Sequence, residues 1–175
     1  MRYIRDNVPA DTPRKKSSEG DRFSSYGLWS SLDATRFAIS RLRELELSRF
    51  GLTVEQASVL KVLIDADTSL RARDLENATL RQHQSVSTLI NRMMRLSLLA
   101  KDRRPGEKRY RIFVTDSGRR LFGRITTAAI DVTFSALDEK DKKQLAVYLR
   151  PLHARARDLL GVHPVPSRKA VSSSV

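Results

Sequence analysis

The chain has 175 residues, a length typical of one domain with tails, and 40% of them are apolar, enough to form a core. It contains no cysteine, which excludes disulfides, thiol catalysis and zinc–thiolate sites, and it has no apolar stretch long enough to cross a membrane. Its 33 Lys and Arg residues against 20 Asp and Glu residues give a net charge of +13, so we expect a cytoplasmic, nucleoid-associated protein whose partner is anionic, with nucleic acid as the first candidate.

The two ends of the chain lack helical periodicity. Residues 1–24 mix proline, serine and charged residues, and residues 162–175 are rich in serine and proline. Segments of this composition bury too little apolar surface to offset the entropy of ordering. We therefore predict a disordered arm over 1–24, a single domain over 25–161 and a disordered tail over 162–175.

Two amphipathic helices begin the predicted domain. From Ser25 to Phe50, apolar residues recur at steps of three and four, and Gly51 then ends the helix. Thr53, with Gln56 three residues later, has the spacing of a capping box, in which each side chain binds the backbone N–H of the other. The second helix is therefore predicted to start here.

A helix–turn–helix follows. Arg71–Ala78 is predicted as a short helix and Gln82–Leu96 as a longer one. The outward side of the longer helix carries short hydrogen-bonding groups near its start and guanidinium groups further along, which suits contacts with base edges and phosphates in a major groove. The DNA-binding candidates on this helix are Gln82, His83, Gln84, Ser85, Ser87, Thr88, Arg92 and Arg95. An ordinary amphipathic helix with a polar surface is the alternative at this point.

A strongly basic hairpin is predicted next. Leu98–Lys101 and Arg109–Val114 have the character of strands, and Pro105-Gly106 between them fits a tight turn. Residues 81–111 hold nine basic and two acidic residues, a net charge of +7. Such a hairpin suits a DNA backbone or minor groove. The wing candidates are Arg103, Arg104, Lys108, Arg109 and Arg111. A charged edge hairpin that prevents aggregation is the alternative.

Two more helices complete the predicted domain. The first is predicted to run from Asp116 to about Ala136, and the second is capped by Asp138 and extends to Leu160. Pro151 lies inside the second helix and is expected to kink or divide it, because proline removes a helical hydrogen bond.

The order of these elements predicts a mainly α fold with a small β-hairpin wing. A winged helix-turn-helix over about 52–116 is flanked by N- and C-terminal helices over about 25–50 and 117–161. The apolar faces of the flanking helices are broader than the small central domain can cover, so we expect them to form the interface of a homodimer.

A small-molecule site is also considered. Thr35 interrupts the apolar stripe of the first helix, where its hydroxyl either binds a carbonyl of its own helix or lines a pocket. Phe134 is either a wall of such a pocket or a core residue. The ligand-contact candidates are Thr35, Ile39, Leu60 and Phe134. We expect no metal, no cofactor and no enzymatic activity, because the histidines are far apart and no nucleophile–base pair or glycine-rich phosphate loop is visible.

Several motifs together resemble the MarR family of bacterial transcription regulators. Gly51–Gln56 is similar to the start of the family's second helix, and Asp74-Leu75 with Val86–Met93 is similar to its helix–turn–helix. Leu98-Leu99, Glu107–Arg109 and Val114–Gly118 resemble the beginning, the tip and the end of its wing. Leu80 and Ser97 stand where the family usually has glycine, so the turn geometry at these two positions is left open.

The resemblance implies a dimeric DNA-binding regulator on a pseudo-palindromic site, and we expect it to act as a repressor. It also implies a ligand cleft between the dimer helices and the DNA-binding lobe, with a small aromatic or anionic effector. Two alternatives remain: a ligand-independent architectural DNA-binding protein, and a winged-helix module that binds an acidic protein.

Overall fold

The computed structural model describes residues 23–103, 106 and 109–162. Its helices are α1 (Ser25–Ser48), α2 (Val54–Ala66), α3 (Ala72–Thr79), α4 (His83–Arg95), α5 (Asp116–Arg124), α6 (Ala128–Phe134) and α7 (Glu139–Leu159), and its strands are β1 (Leu99–Asp102) and β2 (Arg111–Val114). The predicted fold class, mainly α with one small hairpin, is confirmed. Of the predicted arm and tail, all but residues 23, 24 and 162 lie outside the described residues, as do Arg104 and Lys108 of the wing. No described helix is long and apolar enough to cross a membrane.

The described chain forms two compact units. The first contains α1 up to Leu45 together with Thr127–Gly161, and the second contains Glu46–Thr126. The second unit therefore holds α2 to α5 and the hairpin, and its limits are several residues wider at each end than the winged helix predicted over about 52–116.

The core of the second unit is built from the apolar faces of α2 to α4 and from both strands. Its fully buried side chains include Leu47, Leu60, Leu63, Leu75, Val86, Met93 and Leu99. The predicted capping box sets the start of α2: the Thr53 hydroxyl accepts from the Gln56 backbone N–H at 3.3 Å, and Gln56 Oε1 accepts from the Thr53 N–H at 2.9 Å. This cap fixes the residue at which α2 begins.

The two positions without the family's glycines keep a left-handed backbone. Leu80 ends α3 with φ of 55°, and Ser97 follows α4 with φ of 55°. After α4, the Ser97 N–H donates to the Met94 carbonyl at 2.9 Å and the Leu98 N–H to the Met93 carbonyl at 3.0 Å, the pattern of a Schellman motif. The turns therefore form without glycine, at the cost of a left-handed conformation that side chains disfavour.

The hairpin is antiparallel and is tied to the loop before α3. Its register runs from Leu99 opposite Val114 to Asp102 opposite Arg111. Leu70 forms an additional antiparallel bridge with Ile112, with N–H···O distances of 2.9 and 2.7 Å. These bonds join the hairpin to the helix–turn–helix, so the wing is attached to the core rather than projecting as an isolated ribbon.

The prediction of one long helix from Asp116 to about Ala136 was wrong. This segment forms two helices, α5 and α6, which are separated by residues 125–127. Ile125, Thr126 and Thr127 are all β-branched, which lowers helix propensity, and Ile125 adopts an extended backbone. The Thr126 hydroxyl donates to the buried carboxylate of Glu46 instead of supporting a helix. Conversely, α7 continues through Pro151 to Leu159, so the expected division there does not occur.

The first unit carries many exposed apolar side chains. Trp29, Phe37 and Tyr148 have 56%, 68% and 61% of their surface accessible, and Leu28, Leu32, Leu42, Leu45, Val147 and Leu152 are also exposed. Its helix α7 starts at the predicted cap, where Asp138 Oδ1 accepts from the Asp141 N–H at 2.7 Å. Its apolar residues therefore remain partly uncovered within one chain.

Candidate nucleic-acid interface

Helix α4 presents a polar face whose position is set by three buried residues. Val86, Ile90 and Met93 recur at steps of four and three and anchor the helix in the core. The opposite side is open to solvent and carries the predicted recognition residues: Gln82, His83, Gln84, Ser85, Thr88, Arg92 and Arg95 are exposed and Ser87 is half-buried. The local sequence pattern therefore produces a continuous hydrogen-bonding surface along the helix.

The start of α4 has no side-chain cap. Gln82 is the N-cap residue in an extended conformation, and its side chain accepts no hydrogen bond from the first turn. The first backbone N–H groups of a helix have no partner within the helix, and they carry the positive end of its dipole. This end of α4 can therefore accept an anionic oxygen from outside the chain.

Near this end, the side chains of His83 and Arg81 already contact carboxylates of other helices. His83 Nδ1 contacts Glu76 Oε1 of α3, and Arg81 donates to Glu55 Oε1 of α2 at 2.9 Å. A hydrogen bond to its own backbone N–H, helped by Thr53 and Arg81, lowers the pKa of the Glu55 carboxyl against the opposing effect of burial. These contacts join His83 of α4 to α3 and the turn before α4 to α2, so His83 has one ring nitrogen already occupied.

The described wing residues do not behave alike. Arg109 is exposed, and Arg103 is exposed beside the ring of Tyr110. Arg111 is half-buried, and its Nε donates to Ser69 Oγ at 3.0 Å. This third residue holds the hairpin against the loop before α3, so part of its hydrogen-bonding capacity serves the fold.

A groove of about 610 Å³ lies between α3, α4 and the hairpin. Its apolar lining includes Ile90, Met94 and Ile112, and its cations are Arg71, Arg73, Lys101 and Arg109. The sequence-based candidates do not include Arg71, Arg73 or Lys101. The two arginines flank Ala72 at the start of α3. This short basic cluster is visible in the sequence, but a net charge summed over a longer segment does not reveal it.

The ligand-contact candidates occupy different environments. Thr35 and Ile39 lie on α1 and Phe134 on α6, all in the first unit, and the Thr35 hydroxyl donates to the Ser31 carbonyl of its own helix at 2.7 Å. Leu60 has no accessible surface and belongs to the core of the second unit. It therefore cannot contact a ligand without rearrangement of that core. Among the described residues there is also no group of three or more His, Asp or Glu side chains able to hold a metal ion.

Comparison with known proteins places this architecture in a recognised fold. Residues 50–109 match the sequence profile of the MarR family, a range that covers α2 to β1 and ends before β2. The transcriptional regulator RdhR-CbdbA1625, solved with 2,4-dichlorophenol bound, superposes with a TM-score of 0.71 at 18% identity, over 85% of this chain and 91% of that one. A comparison with curated protein sequences found no match to the chain.

Two further structures show the same likeness. AbsC, a MarR family transcriptional regulator from Streptomyces coelicolor, has a TM-score of 0.69 at 20% identity, over 83% of this chain and 99% of that one. MepR of S. aureus, solved in complex with DNA, has a TM-score of 0.64 at 22% identity, over 76% and 98%. The predicted resemblance to MarR regulators is confirmed, and the matched family consists of transcription regulators rather than enzymes.

Proposed function

We propose that this chain, which has the MarR fold and matches the MarR family over residues 50–109, is a sequence-specific regulator of transcription that binds double-stranded DNA. The observation that carries the proposal is the exposed polar face of α4 beside the basic hairpin in one compact unit. A hydrogen-bonding helix that fits a major groove and an adjacent cationic wing are the two parts that a winged helix brings to DNA.

In this arrangement α4 enters the major groove with its first turn towards the bases. Gln84 and Ser85 in this turn and Thr88 in the next are exposed, and a glutamine amide can pair with adenine through two hydrogen bonds. The uncapped N–H groups at the helix start bind a phosphate, and Arg92 and Arg95 contact guanine or the backbone. Arg103 and Arg109 then contact the flanking phosphates or the minor groove.

The chain acts as a homodimer on a pseudo-palindromic operator. The exposed aromatic and aliphatic residues of α1 and α7 support this part of the proposal, because so much apolar surface is unfavourable in water unless a partner covers it. Two-fold symmetry would place the recognition helices about 34 Å apart, one turn of DNA. Sedimentation equilibrium should give twice the mass of one chain, and a monomer at micromolar concentration would contradict it.

A small aromatic or anionic effector modulates binding, and the protein acts as a repressor that the effector releases. The groove beside α4 supports this part, since it is of ligand size and combines apolar residues with four cations. An anion in this groove would neutralise Lys101 and Arg109 and thereby weaken their attraction for phosphate. The cleft predicted around Thr35, Ile39 and Phe134 is the competing location.

The proposal is tested by selecting genomic fragments with the purified protein, in the presence and absence of a panel of aromatic acids. We expect the retained fragments to share a palindrome and one or more acids to release them. Equal retention of random DNA would favour an architectural protein instead. No retention at physiological salt would favour a module that binds an acidic protein.

A further inference from the structure

Two cations of the hairpin lie over one aromatic ring. Lys101 Nζ is 5.0 Å and Arg103 Cζ is 4.5 Å from the centroid of the Tyr110 ring. Both distances are within the range in which a cation is attracted by the electron-rich face of an aromatic ring. Tyr110 is about half exposed and was not among the residues predicted to bind DNA.

The backbone pairing explains why these three residues meet. The paired register ends with Asp102 opposite Arg111, so Arg103 and Tyr110 are the first residues beyond the paired strands. Lys101, two residues before Arg103, is then the diagonal neighbour of Tyr110 on the same face of the hairpin. The strand register therefore brings the three residues to one end of the hairpin, and their side-chain conformations place the two cations over the ring.

We propose that Tyr110 is a positioning residue for DNA binding, whose ring orders Lys101 and Arg103 before the phosphates arrive. The inference rests on the proposed function. A contact with the ring face attracts the positive charge without taking up the N–H groups that hydrogen-bond to phosphate. The Arg81–Glu55 ion pair is the opposite case. There the carboxylate neutralises the charge of the guanidinium group and also takes up one of its N–H donors.

Ordering these side chains in the free protein favours binding. Lysine and arginine are long and lose much rotamer freedom when fixed at an interface. The ring restricts both of them in advance, so less entropy is lost when DNA binds. The two like charges also repel each other, and a phosphate between them removes that repulsion.

The test compares variants in binding a mixed-sequence duplex of about 30 base pairs, because backbone contacts do not depend on sequence. Tyr110→Leu keeps apolar bulk but removes the ring, and we expect its affinity to fall about five- to twentyfold, because the two long side chains would then lose their rotamer freedom only on binding. Tyr110→Phe keeps the ring and should stay within about twofold. Phe113→Leu is the matched control, since Phe113 is an exposed aromatic residue on the other face of the hairpin.

The salt dependence separates positioning from direct contact. Tyr110→Leu should leave the slope of log affinity against log salt unchanged, because no phosphate contact is lost, whereas Lys101→Gln should reduce its magnitude by about one. Wild-type affinity in Tyr110→Leu would overturn the inference. So would a Tyr110→Phe variant as weak as Tyr110→Leu, since that would assign the effect to the hydroxyl, and so would an equal loss in Phe113→Leu.

A measurement without DNA keeps the inference separate from the proposed function. In the free protein, the ring should shift the NMR signals of the Lys101 and Arg103 side-chain methylene protons upfield, in wild type and Tyr110→Phe but not in Tyr110→Leu. Absence of these shifts in wild type would overturn the inference even if DNA binds. Shifts present in a protein that binds no duplex would refute the proposed function, and with it a role of Tyr110 in DNA binding.

Discussion

Replacing Gly118 by alanine should destabilise the protein, although alanine is the better helix former. Gly118 is buried in the first turn of α5, and an added Cβ would lie 2.3 Å from the Leu98 carbonyl oxygen and 2.8 Å from Val114 Cγ1. Ordinary non-bonded contacts are about 3.5–4.0 Å between carbon atoms, so α5 and the start of β1 would have to separate.

The magnitude follows from the groups that must move. Overpacking of this kind costs about 1–3 kcal/mol. The Leu98 carbonyl also accepts from the Thr115 N–H at 3.1 Å, and weakening that bond adds up to about 1 kcal/mol. Alanine is more stable than glycine inside a helix by about 0.5–1 kcal/mol, which offsets part of this loss. The central values of these ranges combine to a fall in the free energy of unfolding of about 2 kcal/mol.

The assay is urea unfolding followed by circular dichroism, with Gly123→Ala as the matched control. Gly123 lies in the same helix, and an added Cβ there would meet nothing within 4 Å. This variant should be unchanged or up to about 1 kcal/mol more stable. The reasoning would be refuted if both variants shifted the unfolding midpoint equally, or if Gly118→Ala were as stable as the wild type with an unchanged denaturant slope.

Three further predictions concern the turns, the acid response and the wing. Ser97→Gly should raise the free energy of unfolding by about 0.5–1 kcal/mol in the same assay, because it relieves a left-handed backbone, whereas Ser97→Ala should give no gain; equal effects would contradict this. The pKa of Glu55 is lowered in the folded protein, so its stabilising effect is present above about pH 4.5 and is lost as the pH falls through the folded-state pKa. Urea midpoints measured above and below that pH should therefore change less in Glu55→Gln than in the wild type, and identical pH profiles would count against the lowered pKa. Arg109→Ala should weaken operator binding by about 1–3 kcal/mol in fluorescence anisotropy if Arg109 reads a base, and should weaken all duplexes almost equally if it binds phosphate; unchanged affinity at low salt would exclude both.

Local patterns were sufficient to place most helices and their exposed faces. The capping box of Thr53 and Gln56, the cap at Asp138 and the polar face of α4 all arise from residues within one or two turns of each other. Helical hydrogen bonds join residues four apart, so their periodicity is written in a short stretch of sequence. The prediction of one helix over 116–136 failed at Thr126, whose hydroxyl donates a hydrogen bond to Glu46, a residue distant in the chain. A local pattern does not reveal such a contact.

The roles of individual basic residues were less predictable, because they depend on neighbours that charge counts do not reveal. The sequence treats Arg103, Arg109 and Arg111 as equivalent wing cations. In the structure Arg111 donates to Ser69, more than forty positions away, while Arg103 lies over Tyr110. Only the folded hairpin decides which guanidinium group is held by a distant hydroxyl and which lies over an aromatic ring.

The sequence by itself determined a cysteine-free, basic, mainly helical protein with a polar-faced helix and a cationic hairpin, since composition and periodicity are local properties. Tertiary structure decided that Leu60 is sealed in the core, that Arg71 and Arg73 share a groove with Lys101 and Arg109, and that Leu80 and Ser97 adopt the left-handed turns usually given to glycine. These outcomes depend on packing and on hydrogen bonds between distant residues, which can outweigh a local conformational preference of about 1–2 kcal/mol.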